Sequence, residues 1–182
     1  MSKIDYDLKK IKAVVLDVDG VLSPSTIPLS ETGEPMRMGN VKDGFALQYA
    51  TRVGLKIAVI TGGFSEAMAN RFGILGINDV YQRVSDKLPC LKDWMELRGL
   101  TADEVAYMGD DIPDLPCLWH VGLPCCPDDA AVEVRHASRY ISPKAGGHGA
   151  VRDLIEQIMK AQGTWAAVRS EECKTASNIY SW

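Results

Sequence analysis

Two aspartates follow a short apolar run near the start of the chain. Asp17 and Asp19 come after Val14-Val15-Leu16, and Gly20 is the next residue. Such a run is typical of a buried parallel strand that delivers its acids to its carboxyl end. Side chains two residues apart on a strand point the same way, so the two carboxylates are expected to lie close together. Because they repel, a divalent cation with oxygen ligands is their natural counterion, although acids at a strand end are also common without a metal.

A second pair of acids follows a later apolar run. Asp110 and Asp111 come after Val105-Ala106-Tyr107-Met108-Gly109. Magnesium prefers a few carboxylates completed by water and a substrate phosphate, so Asp17, Asp19 and Asp110 are the candidate ligands. The alternative for the second pair is a cap at the start of the next helix.

Phosphate-binding groups lie between the two acidic stretches. Thr61 and Gly62 follow an apolar strand, where a hydroxyl and backbone amides near a helix start can donate to phosphate oxygens. Lys87 begins a later helix and adds a positive charge. Taken alone, the first pair is also compatible with a simple turn, and the lysine with a solvated helix residue. The joint order of acid, hydroxyl, lysine and acid favours a site for phosphoryl transfer.

The first two acids divide the chemistry of such a transfer. Asp17 attacks phosphorus to form an aspartyl-phosphate, which splits one difficult displacement into two easier ones. Asp19 protonates the leaving alkoxide and later accepts a proton from the attacking water. The roles follow from placement, since a carboxylate bound to magnesium stays ionised whereas its neighbour is free to carry a proton.

The elements that hold these residues alternate between strand and helix. Apolar runs at about 11–17, 55–60 and 105–108 are predicted strands, separated by helices with one apolar face. The pattern predicts an α/β, Rossmann-like parallel sheet with helices on both faces, which binds ligands outside the carboxyl ends of its strands. Residues 24–40 are predicted to form a small β-hairpin insertion in place of a cap domain. We expect one domain over 1–163 and a mobile C-terminal tail over 164–182.

Composition narrows the classes of partner. The 182 residues are 46% hydrophobic and carry a net charge of −4, which is ordinary for a soluble globular protein and argues against nucleic acid or an anionic membrane. Since no apolar run approaches a membrane span, the cytoplasm is the expected location. The five cysteines are odd in number and lack the spacing of a zinc site, so reduced thiols are expected.

The order of the motifs resembles the haloacid dehalogenase-like superfamily of phosphohydrolases. The matching motifs are Asp17-Val18-Asp19-Gly20, Ile60-Thr61-Gly62, Lys87 and Gly109-Asp110-Asp111-Ile112-Pro113-Asp114. Within it, the chain is similar to the small, capless branch that hydrolyses 3-deoxy-D-manno-octulosonate 8-phosphate, an intermediate of lipopolysaccharide synthesis. The segments that point to this branch are 40–44, 80–82, 86–88 and 145–152.

This resemblance implies a set of ligands and an assembly. It implies Mg²⁺ bound by the side chains of Asp17 and Asp110 and by the backbone carbonyl of Asp19, with Asp111 and Asp114 supporting them. It also implies a small sugar phosphate as substrate. The expected assembly is a homotetramer built around the hairpins, in which a neighbouring subunit completes each active site.

Two positions depart from the pattern of this branch. Lys42 stands where arginine is usual, and Gly63 stands where Thr-Gly-Arg is usual. Arginine holds a carboxylate with two parallel bonds and lysine with one charge, so either change alters how a sugar acid is held. Arg71 is the candidate for compensation, and His148, in a glycine-rich loop, is a further candidate substrate contact. Two alternatives stay open: a nine-carbon sialic-acid-type 9-phosphate as substrate, and a receiver-like signalling domain that accepts a phosphoryl group.

Overall fold

The computed structural model describes residues 4–165 and contains one parallel β-sheet between two layers of helices. Its strands are β1 Ala13–Leu16, β2 Lys56–Ile60, β3 Asp79–Tyr81, β4 Val105–Met108, β5 Leu123–Cys126 and β6 Tyr140–Ile141. The α-helices of the described residues are α1 Val41–Arg52, α2 Glu66–Ile74, α3 Lys87–Arg98, α4 Leu115–His120, α5 Val132–Ala137 and α6 Ala150–Gln162. The strand order is β3-β2-β1-β4-β5-β6, so the predicted α/β fold is confirmed.

The central strand is buried on both faces. All four residues of β1 are inaccessible to solvent, and Leu16 is in register with Val59 of β2 and Met108 of β4. A strand covered by helices on both sides needs apolar side chains in both directions, which explains its continuous apolar sequence. The ends of β1, β2 and β4 therefore meet at one edge of the sheet.

Helices α1, α2 and α6 cover one face, and α3, α4 and α5 cover the other. Helix α6 has the clearest amphipathic pattern, because Val151, Leu154, Ile155 and Ile158 repeat at helical spacing and are fully buried. Every fully buried aliphatic side chain contributes about 1.5–3 kcal/mol relative to an exposed one. The two apolar clusters hold the strands in place on both sides of the edge that carries the acids.

The segment between β1 and α1 is a hairpin with little regular strand. Leu29 and Pro35 form a single antiparallel bridge, and the amide of Met36 donates to the carbonyl of Pro28 over 2.8 Å. Its apolar side chains remain accessible: Leu29 is 66% exposed, and Met36 and Met38 are about half exposed. The insertion is a short turn whose apolar side chains do not join either apolar cluster.

The base of this insertion is joined to the start of α6. The Asn40 side chain caps α1 and also donates to the carbonyl of Gly147 over 3.1 Å. The Asp43 carboxylate, 1% exposed, accepts a hydrogen bond from the amide of Arg152 over 2.6 Å. These bonds hold loop 145–149 against the insertion and beside the loop that follows β1.

Three remaining sequence expectations concern the tail, the cysteines and a membrane span. The tail predicted from residue 164 lies outside the described residues except for its first two positions. Cys90, Cys117, Cys125 and Cys126 are free thiols, as expected, and Cys173 lies outside the described residues. Within residues 4–165, no helix combines the length and the apolar character needed to cross a membrane.

Candidate active site

Three carboxylates converge where β1 and β4 end. Asp17, Asp110 and Asp114 each offer one oxygen, and these three atoms lie within 4.8 Å of one another. Asp17 comes directly after β1, and its amide donates to the carbonyl of Met108 over 3.1 Å. The structure therefore brings Asp17 and Asp110 together, as the sequence predicts, and adds Asp114 to the cluster.

A glycine makes this close approach possible. A Cβ atom at Gly20 would lie 1.9 Å from Asp110 Oδ2, so any side chain there would displace the carboxylate. Gly20 also has a φ of +85°, a conformation that favours glycine. Gly20 of the acid-x-acid-glycine motif therefore allows the turn after β1 and leaves room for the carboxylate of Asp110, which follows β4.

Lys87 supplies the positive charge of the cluster. Its side chain is 7% exposed, and Nζ lies 3.0 Å from Asp17 Oδ1 and 2.7 Å from Asp114 Oδ1. Burial lowers its pKa, but the charges of Asp17 and Asp114 outweigh burial and raise the pKa above the ordinary value. The alternative of a solvated helix residue is therefore wrong for this lysine.

Asp114 organises the surrounding groups. It is 1% exposed, and its Oδ1 accepts hydrogen bonds from Lys87 Nζ and from the Tyr107 hydroxyl, each over 2.7 Å. Its Oδ2 accepts from the amides of Asp110 and Asp111 over 3.0 and 3.4 Å. The Asp111 side chain points elsewhere and accepts from the amide of Ile112, where it caps a short 3₁₀ helix.

The single charge of Lys87 does not balance the three carboxylates of the cluster. Burial, followed by the charge of Asp114, raises the pKa of Asp17 to about 6. Burial, followed by the charges of Asp17 and Asp114, raises the pKa of Asp110 to about 8. Lys87 Nζ lies 3.0 Å from Asp17 Oδ1, outside the geometry of a regular hydrogen bond. Three clustered acids that burial drives toward their protonated forms, beside one lysine, fit a divalent cation.

The Asp19 carboxylate is not one of the three clustered acids. Strand β1 ends at Leu16, and the amides of Leu22 and Ser23 both donate to the carbonyl of Val18, which turns the chain. The Asp19 carboxylate instead accepts two hydrogen bonds from Arg37 of the insertion, each over 2.7 Å. The expectation that the two side chains point the same way depends on strand geometry through Asp19, and β1 ends before that residue.

The predicted phosphate-binding groups lie at the end of β2. Thr61 is 4% exposed, and its hydroxyl accepts a hydrogen bond from the amide of Gly63 over 3.1 Å. An accepting hydroxyl keeps its own proton available for another acceptor, such as a phosphate oxygen. Gly62 lies between them, and Thr61, Gly63 and Arg37 line one small cavity with Val18.

The three predicted substrate contacts lie in other cavities. Lys42 and His148 line a polar cavity together with further cations and the acids Asp153 and Glu156. None of the three clustered acids is among its described lining residues. Arg71 lines a separate groove over Gly44, between α1 and α2. Within one chain the structure therefore does not bring these three side chains together with Asp17.

Arg37 and Asp43 were not identified from the sequence. Arg37 is a single cation between two methionines in a segment with no periodicity, and this isolated charge is its only sequence signal. Asp43 looks like an ordinary acid in the first turn of a helix, a common and favourable position.

No protein-family model matches the chain. The 3-deoxy-D-manno-octulosonate 8-phosphate phosphatase KdsC of Escherichia coli K12 is 36% identical over 155 residues, which span 85% of this chain and 82% of the relative. The Yersinia pestis protein of the same name is 34% identical over 152 residues, which span 84% and 81%.

The chain belongs to the KdsC phosphatase family. The resemblance and the enzyme class, a phosphoric monoester hydrolase, are thereby confirmed, and the receiver-like alternative has no support from the relatives.

Solved structures of the KdsC family agree with this fold. The Moraxella catarrhalis phosphatase, in complex with magnesium, phosphate and KDO, matches with a TM-score of 0.83 and 36% identity over 87% of this chain and 91% of that one. A cobalt-bound Haemophilus influenzae phosphatase matches with a TM-score of 0.84 and 31% identity over 90% and 97%. The predicted magnesium cofactor agrees with both the acidic cluster and these metal-bound relatives.

Proposed function

We propose that the chain is a magnesium-dependent phosphatase that converts 3-deoxy-D-manno-octulosonate 8-phosphate to the free sugar acid and phosphate, in lipopolysaccharide precursor synthesis. The observation that carries the proposal is the acidic cluster, whose three carboxylates approach within 4.8 Å around buried Lys87. The substrate is supported by the names of the relatives and by the KDO and phosphate present in the Moraxella structure.

In this proposal the metal binds at the acidic cluster. The side chains of Asp17 and Asp110 would hold Mg²⁺, together with the backbone carbonyl of Asp19. When bound, Mg²⁺ supplies positive charge to the phosphoryl oxygens and to the carboxylates. Asp114 would not bind the metal directly but would hold the groups around it, because its two oxygens already accept hydrogen bonds from Lys87, Tyr107 and two backbone amides.

The protein groups then carry the transfer. An Asp17 oxygen attacks phosphorus and forms the aspartyl-phosphate, while the bond from phosphorus to the sugar oxygen breaks. Lys87 lies beside Asp17, where it orients the carboxylate and balances its charge. The Thr61 hydroxyl donates to a phosphoryl oxygen, and Gly62 adds a backbone amide. Asp19 donates a proton to the departing sugar oxygen and then takes one from the water that releases phosphate.

Assembly forms a further part of the proposal. Exposed Leu29, Met36 and Met38 give the insertion an apolar surface that a homotetramer built around the hairpins would cover. Lys42 and His148 would then contact a substrate held by a neighbouring copy, since their cavity contains none of this chain's clustered acids. We retain the cytoplasm as location, with no nucleic acid or membrane partner.

The test compares two substrates with and without magnesium. We expect 3-deoxy-D-manno-octulosonate 8-phosphate to have the higher kcat/KM, and EDTA to abolish turnover. A preference for a nine-carbon sialic-acid-type 9-phosphate would replace the proposed substrate while keeping the reaction. Asp17→Asn should remove activity and Asp93→Asn, at an exposed position of α3, should keep it. Full turnover by Asp17→Asn would remove the nucleophile from the mechanism.

A further inference from the structure

The insertion places a guanidinium directly on the proton-transferring acid. Arg37 Nε donates to Asp19 Oδ1 and Nη2 donates to Oδ2, each over 2.7 Å, and Nη1 donates to the carbonyl of Phe64 over 2.9 Å. The Arg37 side chain is 6% exposed and that of Asp19 is 32% exposed. This is a parallel two-bond arginine–carboxylate pair, the strong and geometrically specific form of this interaction.

Such a pair conflicts with the role of Asp19. Both carboxylate oxygens accept bonds from Arg37, so a proton on either oxygen in that direction would meet an N–H group of the guanidinium. Arg37 therefore has to release Asp19 during turnover. A buried guanidinium that loses its carboxylate without a replacement is strongly unfavourable. Release consequently requires another anion for Arg37.

The chain makes room for the guanidinium at an unusual position. A Cβ atom at Gly63 would lie 2.3 Å from Arg37 Nη2 and 3.1 Å from Cζ, so a side chain at position 63 would exclude Arg37 from its present place. The resemblance places an arginine at this position in related enzymes. Here the insertion, rather than the loop after β2, delivers a guanidinium to that space.

We propose that Arg37 recognises the carboxylate of an acidic substrate and exchanges Asp19 for it on binding. This inference rests on the proposed function and adds a specificity rule to it. The carboxylate of a sugar acid phosphate accepts the two hydrogen bonds that Arg37 otherwise donates to Asp19, and Asp19 is then free for proton transfer. A neutral sugar phosphate offers Arg37 nothing in return, so Asp19 stays paired.

The first test is a ratio of substrates. Sorbitol 6-phosphate and 6-phosphogluconate are open-chain esters that differ at C1, where the second has a carboxylate. The kcat/KM of both is measured with the wild type, Arg37→Ala and Arg37→Lys. In Arg37→Ala we expect the preference for the acid over the neutral ester to fall about 10- to 100-fold. Turnover of the neutral ester should rise about two- to fivefold, because Asp19 is no longer held. Arg37→Lys should be intermediate, and it replaces the alanine variant if that variant does not fold.

The matched control is another guanidinium of the same region. Arg83 lies over the Phe64 ring, 4.2 Å from its centroid. Arg83→Ala removes one guanidinium charge and leaves both hydrogen bonds between Arg37 and Asp19 in place. We expect Arg83→Ala to keep the wild-type ratio. An equal decrease for both esters in Arg37→Ala, or an unchanged ratio, would make Arg37 a structural clamp only and overturn the proposal.

The second test measures binding without catalysis. Calorimetric titration of magnesium-loaded protein with free 3-deoxy-D-manno-octulosonate, which has a carboxylate and no phosphate, should give an affinity about 10- to 100-fold weaker in Arg37→Ala. Equal affinities, or no binding to the wild type, would contradict carboxylate recognition by Arg37. If 3-deoxy-D-manno-octulosonate 8-phosphate is not a substrate but the gluconate ratio collapses in Arg37→Ala, the proposed substrate fails and the role of Arg37 stands.

Discussion

Magnesium binding should release protons from the acidic cluster, by an amount that follows from two raised pKa values. In the metal-free protein the pKa of Asp17 is about 6 and that of Asp110 about 8. At pH 7 the second group is mostly protonated and the first mostly ionised. Because a metal ligand must be deprotonated, binding should release about 1.5 protons at pH 6, about 1 at pH 7 and about 0.5 at pH 8.

The same protons set the pH dependence of the affinity. The slope of the logarithm of the association constant against pH equals the number of protons released, so we expect magnesium to bind about 100-fold more tightly at pH 8 than at pH 6. Isothermal titration calorimetry in two buffers with different ionisation enthalpies measures both quantities. Asp93→Asn is the control, because its exposed carboxylate lies on α3, outside the cluster of three. A release below about 0.3 proton at pH 7, with a flat affinity, would refute this reasoning.

Stability should change with pH in the corresponding direction. A carboxylate whose folded pKa lies above its unfolded value of about 3.9 binds its proton more tightly in the folded state. It therefore contributes stability at low pH that is lost as the pH rises through about 6 for Asp17 and about 8 for Asp110. In EDTA, thermal unfolding between pH 5 and 8.5 should show a falling Tm. The increase in Tm on adding magnesium should grow over the same range.

Two substitutions test the supports of the site. Lys87→Met leaves its two carboxylate partners buried without their cation. Urea unfolding in EDTA should therefore show a loss of about 3–5 kcal/mol in the free energy of unfolding. Lys92→Met, at an exposed position of the same helix, should change it by less than about 0.5 kcal/mol. Gly146→Ala places a Cβ atom 1.8 Å from the carbonyl oxygen of Gly20. We expect a loss of about 1–3 kcal/mol in the free energy of unfolding and at least about tenfold lower turnover. Gly73→Ala, in open space within α2, should be neutral or stabilising. Wild-type behaviour of Lys87→Met or Gly146→Ala would contradict the packing described here.

The sequence was sufficient for the residues that strand ends position. Asp17, Thr61 and Asp110 each follow an apolar run, and parallel strands bring their carboxyl ends to one edge whatever the details of the loops. Lys87 could be placed at a helix start, but only the fold shows that this start lies under the same edge. Local pattern and general topology were therefore enough for Asp17, Thr61 and Asp110, but not for the place of Lys87.

Residues in irregular backbone could not be predicted in this way. Asp19 lies beyond the last residue of β1, where the alternation of strand side chains no longer applies. Its partner Arg37 belongs to a hairpin with one bridge, and no periodicity indicates where that side chain points. Asp43 bonds to Arg152, which is 109 residues away, and such a pairing leaves no signal in either local sequence.

That bond between Asp43 and Arg152 has a consequence for the order in which the chain folds. It joins the first helix to the last one, so it cannot form until nearly all of the described chain has been synthesised. Strands β1 to β4 can assemble their sheet earlier, because their partners are already present. The loop that carries Asp19 and Gly20 therefore acquires its final shape late, and a nascent chain that ends before α6 is expected to be compact but inactive.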